Sequence, residues 1–120
     1  MTTPTWSADF WRSLDQLLAE SEIVIDRPKG SAHPRFPERI YPLDYGYLKN
    51  SSSMDNEGID LWIGSQDCRK ICGVAVTIDL TKRDSEIKLL IGVTPSEVET
   101  ILRFLNFGQM HALAVPRDAT

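Results

Sequence analysis

Three carboxylates stand close together in this sequence: Asp55, Glu57 and Asp60. Ahead of them runs Tyr41-Pro42-Leu43-Asp44-Tyr45-Gly46-Tyr47. Hard cations such as Mg2+ take oxygen ligands and keep several of their waters. Carboxylates from one loop, joined by one or two from a neighbouring strand, can therefore hold a pair of such ions. Asp79, Asp84 and Glu86 sit around a later turn. If that hairpin pairs near Asp60–Gly64, five or six carboxylates converge on one end of a sheet. Like charges gather that closely only with cations among them or with raised pKa values. The same residues also read as turn chemistry, because Asp55-Asn56-Glu57-Gly58 and Asp84-Ser85 are turn sequences. The twelve-residue EF-hand loop is absent. Cys68, Cys72, His33 and His111 do not repeat a zinc spacing. No nucleophile elbow, Walker or dinucleotide-binding motif occurs.

Arg27, Lys29, Arg35 and Arg39 fall within thirteen positions of a chain whose net charge is −4. This local basic excess reads either as a solvated loop or as an anion cradle, and composition leaves both open. The acidic balance, with a pI near 5.1, argues against nonspecific nucleic-acid binding and attraction to an anionic membrane surface, and an OB-like structural or oligonucleotide-binding module is the least favoured reading.

The elements that must position these residues follow from pattern. Phe10, Trp11, Leu14, Leu17 and Leu18 recur at helical spacing, which predicts a helix over 8–20 capped by Ser7. Glu22–Asp26 is rich in β-branched residues and predicts a strand, ended by Pro28 and Gly30. Pro34 and Pro37 make the following segment a stiff, irregular connection. Strands are expected at Ile40–Leu48, Asp60–Gly64, Ile71–Leu80 and Glu86–Val93, the last two as a hairpin. Thr94-Pro95-Ser96-Glu97 starts a second helix with a capping box and proline at its first position. Gly108 is its expected stop, and His111–Val115 is a candidate final edge strand. Strands grouped between terminal helices argue against βαβ units. A small, mostly antiparallel, strongly curved sheet or barrel would bury Ile71–Leu80 on both sides.

With 120 residues, 42% hydrophobic and 25% charged, the chain is expected to form one globular domain over 1–120, with 1–6 and 116–120 loose. No apolar run is long enough to span a membrane. No signal-peptide pattern opens the chain, so a cytoplasmic location with Cys68 and Cys72 as free thiols is expected. Trp6 and Trp11 leave room for a homo-oligomer.

Tyr41–Leu48 followed by Asp55-Asn56-Glu57-Gly58-Ile59-Asp60 resembles the family I soluble inorganic pyrophosphatases, which carry Y-P-x-N-Y-G-Y and then D-G-D-P-x-D. The likeness extends to Ile23–Pro28 and to the stretch from Gly73 to Val93, and covers roughly Ile23 to Phe107. It implies an α+β, mainly β fold: a small antiparallel five-stranded OB-like barrel with an N-terminal and a C-terminal helix. It implies Mg2+-dependent hydrolysis of pyrophosphate or a related small diphosphate, with Mn2+ as the substitute ion. Asp55, Asp60, Asp79 and Glu86 would be metal ligands, Asp60 bridging two ions. Glu57 would take the proton of the attacking water. Tyr45 would line the site, Lys88 would contact phosphate, and Asp26 would match the acid that ends the early strand. Lys29, Arg35 and Arg39 are the candidates for further phosphate contacts. The implied partner is a small phosphorylated substrate, with neither nucleic acid nor membrane.

The sequence also departs from the pattern. Glu57 replaces an Asp, and its extra methylene shifts a base by about 1 Å, a displacement that can cost on the order of 100-fold. Asp44 replaces an Asn. The hairpin that carries further cations is collapsed to Lys29–Arg39, and Phe107-Gly108 stands where a Tyr-Lys pair grips phosphate. The alternative implied is a catalytically weak or inactive relative that binds a phosphorylated ligand or a protein partner.

Overall fold

Strand residues alternate between two faces, and here the alternation separates two cores. Leu48, Leu61, Val74, Leu89 and Ile91 share one face with Trp11 and Leu14. Their immediate neighbours Trp62, Ala75 and Leu90 share the other with Tyr41, Ile101 and Leu105. This period of two, with both sides apolar, sandwiches a sheet between two helices.

The computed structural model describes residues 5–53 and 57–117. Its elements run α1 (Trp6–Ala19), β1 (Glu22–Arg27), β2 (Asp44–Lys49), β3 (Ile59–Ile63), β4 (Ile71–Asp79), β5 (Asp84–Ile91), α2 (Pro95–Leu105) and β6 (Met110–Pro116). The strands form one sheet in the order β1-β2-β3-β5-β4-β6. Neighbours are antiparallel except β3 and β5, which run parallel. Where a five-stranded OB-like barrel was expected, the described strands form an open six-stranded sheet. β6 is the reason: it lies along β4 from Gly73↔Pro116 to Asp79↔Met110. It makes a sixth strand at one edge, with β1 at the other. No described helix is long and apolar enough to cross a membrane.

Helix α1 begins two residues before its expected start. Thr5, not Ser7, is the N-cap, and it makes no side-chain cap bond. Its hydroxyl instead donates to the Asp9 carboxylate at 2.9 Å. Trp11 and Leu14 bury the inner stripe, whereas Trp6 is 80% exposed. Trp11 is thus core, and of the two tryptophans only Trp6 presents a surface.

Strand β2 starts at Asp44, not Ile40. Pro42 lacks an N–H for a ladder, and Ile40 makes only an isolated bridge with Ala32. The 28–43 stretch folds back as a loop, pinned by Gly30 N–H to Tyr41 O and Tyr41 N–H to Ser31 O, both 2.9 Å.

Helix α2 has the capping box that Thr94 and Glu97 predict. The Glu97 carboxylate accepts the Thr94 N–H at 2.9 Å and the Ser65 N–H at 3.2 Å. Burial acts against that charge, but these N–H groups outweigh it and hold its pKa below the usual glutamate value. One side chain thereby fixes both the helix start and the turn after β3. The helix ends at Leu105 rather than near Gly108. Asn106 caps it, bonding Leu102 O at 2.8 Å and both backbone groups of Ala112 at 3.1 Å.

The fully buried Leu48, Leu61, Leu89 and Ile91 each contribute roughly 1.5–3 kcal/mol through area removed from water. Opposite this apolar floor, the α2 side of the sheet is only partly covered.

Candidate functional site

Helix α2 covers Trp62, Ala75 and Leu90. Further along the same strands, alternation puts polar residues on that face: Tyr45 and Tyr47 on β2, Asp60 on β3, Thr77 and Asp79 on β4, Glu86 and Lys88 on β5. They form the strand wall of a cavity of about 530 Å3. The opposite wall comes from the loop after β1 and from α2, with Arg27, His33, Arg39, Tyr41 and Phe104.

Lys88 is the centre of the strand wall and is only 5% exposed. Its ammonium donates to Tyr45 Oη at 2.8 Å, to Asp60 Oδ2 at 3.0 Å and to Glu86 Oε2 at 3.4 Å. A carboxylate only accepts and an ammonium only donates. The Tyr45 hydroxyl must therefore donate to Asp60 Oδ2, 2.5 Å away. Burial, and then the Asp60 charge, push the Tyr45 phenol far above its usual range despite Lys88. It stays a neutral donor. For Lys88, burial opposes the charge, but the Tyr45 oxygen and Asp60 outweigh it, and its pKa is raised. One ammonium thus screens two carboxylates. Without it they would repel each other across a low-dielectric floor.

The remaining predicted residues divide clearly. Asp79 and Glu57 line the cavity with Asp60, Glu86 and Tyr45. The Asp79 carboxylate also accepts the N–H groups of Thr81 at 2.9 Å and Lys82 at 3.2 Å, so it holds the β4–β5 turn. Asp55 lies outside the described residues. No group of three His, Cys, Asp or Glu side chains is arranged to hold a metal among the described residues. Lys29 and Arg35 are exposed and take no part in the cavity. The Lys29 backbone N–H bonds Asp44 at 2.8 Å, so its contribution is to the loop.

Arg39 does reach the cavity. Its guanidinium lies between two rings, 4.1 Å from the Phe104 centroid and 4.0 Å from that of Phe107, and it donates to Phe104 O. Phe107 is thus one jaw of an arginine clamp.

Several lining residues escaped assignment from sequence. His33 accepts the N–H groups of Arg35 and Phe36 on Nδ1, at 3.1 and 3.3 Å. This fixes the neutral tautomer with its proton on Nε2. Burial first, then Arg39, Arg27 and Arg35, hold its pKa below the ordinary histidine value. Lys82 stands at the hairpin end of the cavity. Trp62 is fully buried, and its indole Nε1 has no acceptor among the described residues. The signal for Trp62 was parity with Asp60, two positions before it. His33 and Lys82 lie in a loop and a turn, where no such parity operates.

No protein-family model and no curated protein matches the chain. Solved structures do. It is similar to one titled an inorganic phosphatase from Anaplasma phagocytophilum, at 16% identity and TM-score 0.55, over 78% of this chain and 81% of that one. The inorganic pyrophosphatase of Helicobacter pylori is 15% identical, TM-score 0.55, over 82% and 84%. That of Coxiella burnetii is 12% identical, TM-score 0.51, over 78% and 82%. At such identities the likeness is one of fold, which this chain shares with inorganic pyrophosphatases.

Proposed function

We propose that this chain is a short, divergent relative of the family I inorganic pyrophosphatases that hydrolyses pyrophosphate or a related small diphosphate with Mg2+. The observation that carries this reading is the meeting of Tyr45, Asp60, Glu86 and Lys88 at one cavity wall. The donor chemistry suits the ion: Asp60, Asp79 and Glu86 offer hard carboxylate oxygens to one cavity. With Asp55 they are the residues that would hold Mg2+, or Mn2+ in its place. Bound there, the ion would supply Lewis acidity and lower the pKa of a water.

The chain's own groups do the rest. Asp60 Oδ2 receives both Tyr45 and Lys88, which leaves Oδ1 as its oxygen for other work. Glu57, which lines the cavity, would accept a proton from the attacking water. The Lys88 ammonium offsets charge that builds on a transferred phosphoryl group. A phosphoanhydride treated in this way needs no covalent protein nucleophile. The proposed partner is a small phosphorylated substrate, and the proposed compartment is the cytoplasm, where the free Cys68 and Cys72 stay reduced. Trp6, exposed on α1, remains available for a homo-oligomer contact.

The test is release of phosphate from pyrophosphate with Mg2+, lost in Asp60→Asn. A metal-replete preparation that cleaves no diphosphate would overturn it. One observation favours the second reading, a weakly active or inactive binder: Asp60 and Glu86 are already engaged by Lys88, and Asp79 by its turn. Calorimetry giving tight diphosphate binding without turnover would select that alternative.

A further inference from the structure

Strand β1 breaks the period of two at its end. Ile25 pairs with Gly46 and Arg27 pairs with Tyr45, so Asp26 is an extra residue without a partner across the ladder. This is a β-bulge, a device that re-aims side chains. Its effect here is that two consecutive residues, Asp26 and Arg27, both line the cavity. Regular alternation would send them to opposite faces. The partner strand is adapted to the distortion, because a Cβ on Gly46 would stand 1.9 Å from the carbonyl oxygen of Val24. The bulge therefore delivers a guanidinium to the loop wall.

Arg27 is half-buried. Its Nη1 donates to the Tyr41 hydroxyl at 3.0 Å, and its guanidinium lies 5.8 Å from the centre of that ring. Arg39 is also half-buried on the same wall. Glu38 acts on it through its field but forms no ion pair. Among the described residues, neither arginine has a carboxylate partner within salt-bridge reach. Both cations are partly desolvated and neither is held in an ion pair among the described residues, so their donors are open to an anion that enters the cavity. The imidazole between their fields is held neutral, so it adds no third charge. The strand wall presents the reverse balance, with Asp60, Asp79, Asp84 and Glu86 against Lys82 and Lys88.

We propose that Arg27, aimed by the β1 bulge and aided by Arg39, forms an anion subsite on the loop wall that grips the phosphoryl group remote from Lys88. The ligand class is a tetrahedral oxyanion, the distal phosphate of a diphosphate, for which an arginine fork has the matching geometry. This rests on the pyrophosphatase reading of the same cavity. It gives the collapsed 29–39 hairpin a substitute: the grip comes from the strand end before the loop, not from Lys29 or Arg35.

The experiment is calorimetric titration of methylenediphosphonate, a non-hydrolysable diphosphate, with and without Mg2+, alongside pyrophosphate kinetics. Arg27→Met should weaken binding at least tenfold and raise KM by a similar factor, with kcat within about threefold of the parent. Lys29→Met, which removes an exposed loop cation outside the cavity lining, should stay within about threefold in both. If Arg27→Met binds like the parent, the proposal fails. If Lys29→Met loses as much as Arg27→Met, the effect is one of general loop charge and not of a subsite, and the proposal again fails. Should Arg27→Met not fold, Arg27→Lys carries the test: weaker binding at unchanged kcat supports the subsite, and unchanged binding rejects it. A parent protein that neither binds methylenediphosphonate nor cleaves any diphosphate removes the underlying reading instead, a result distinct from all of these.

Discussion

The two faces of the sheet are built from the same strands and do opposite things. On the α1 face, Leu48, Leu61, Leu89 and Ile91 meet Trp11 and Leu14 with no charge among them. On the α2 face the apolar pattern stops partway, and Asp60, Glu86 and Lys88 continue it. The difference lies in coverage. Helix α2 is an 11-residue element started by one capping box, and the strands run beyond it. Residues beyond its shadow face a cavity, so charge there is tolerable if balanced internally. The first face is an uninterrupted apolar core, and the second carries the charged cavity wall.

Substitutions can break this division. The largest effect is expected from Lys88→Met, which strips the shared counter-charge from Asp60 and Glu86. Pyrophosphate turnover should fall by about 1000-fold, as for loss of a preorganised electrostatic group. Stability to urea at pH 7 should also drop, by about 3 kcal/mol, because two carboxylates are left facing each other. Next comes Leu61→Ala on the α1 face, which should cost about 2–5 kcal/mol in unfolding free energy. The turnover of the folded fraction should stay near parent. A matching loss of kcat would show that the faces are coupled.

Thr94→Ala removes one half of the capping box and should cost about 1 kcal/mol by thermal melting. His33 gives a pH signature. Its folded pKa is depressed from 6.5, so below that pH the unfolded chain takes up the proton first. Stability is fully present above about 6.5 and declines as pH falls. His33→Gln should flatten that decline in urea titrations run from pH 7 to 5, whereas an unchanged slope would assign it to other groups. Asp15→Asn tests the smallest effect. Its bidentate pair with Arg117, at 2.8 and 2.6 Å, ties α1 to the chain after β6. Its side chain is 45% exposed, so screening should keep the loss below about 1 kcal/mol.

The parts legible in sequence were those governed by periodicity or local chemistry. The stripe from Trp11 to Leu18, the Thr94–Glu97 box and the β4–β5 hairpin are local and fold as the pattern dictates, whereas Phe10, expected in the stripe, is 45% exposed. Asp60 and Glu86 were legible as neighbours on the condition that the later hairpin pairs beside β3, which it does through β5; Lys88 was implied only by the family resemblance. The open sheet was not legible, since short strands do not reveal whether the last one closes a barrel or extends an edge. Nor was the use of Asp79 in its own turn, because an aspartate at that position suits either a turn or a cation. Arg27 was legible as one cation of a candidate cradle, but not its aim into the cavity, because the bulge breaks the side-chain parity that sequence reasoning relies on. Lys29 and Arg35 carry the right charge, yet their loop turns them to solvent.

The three tryptophans are 80%, 5% and 0% exposed at positions 6, 11 and 62. They therefore form a graded optical label. Trp6 should emit as an indole in water, and Trp11 should report only on the α1 face. Trp62 lines the cavity, with Tyr45 at 4.7 Å and Phe104 at 5.5 Å, and its N–H has no acceptor among the described residues. Of the three, Trp62 alone sits where filling the cavity changes its surroundings. A Trp6→Phe, Trp11→Phe chain would leave a single fluorophore at the floor of the site, so that ligand entry could be followed by emission intensity without adding a dye.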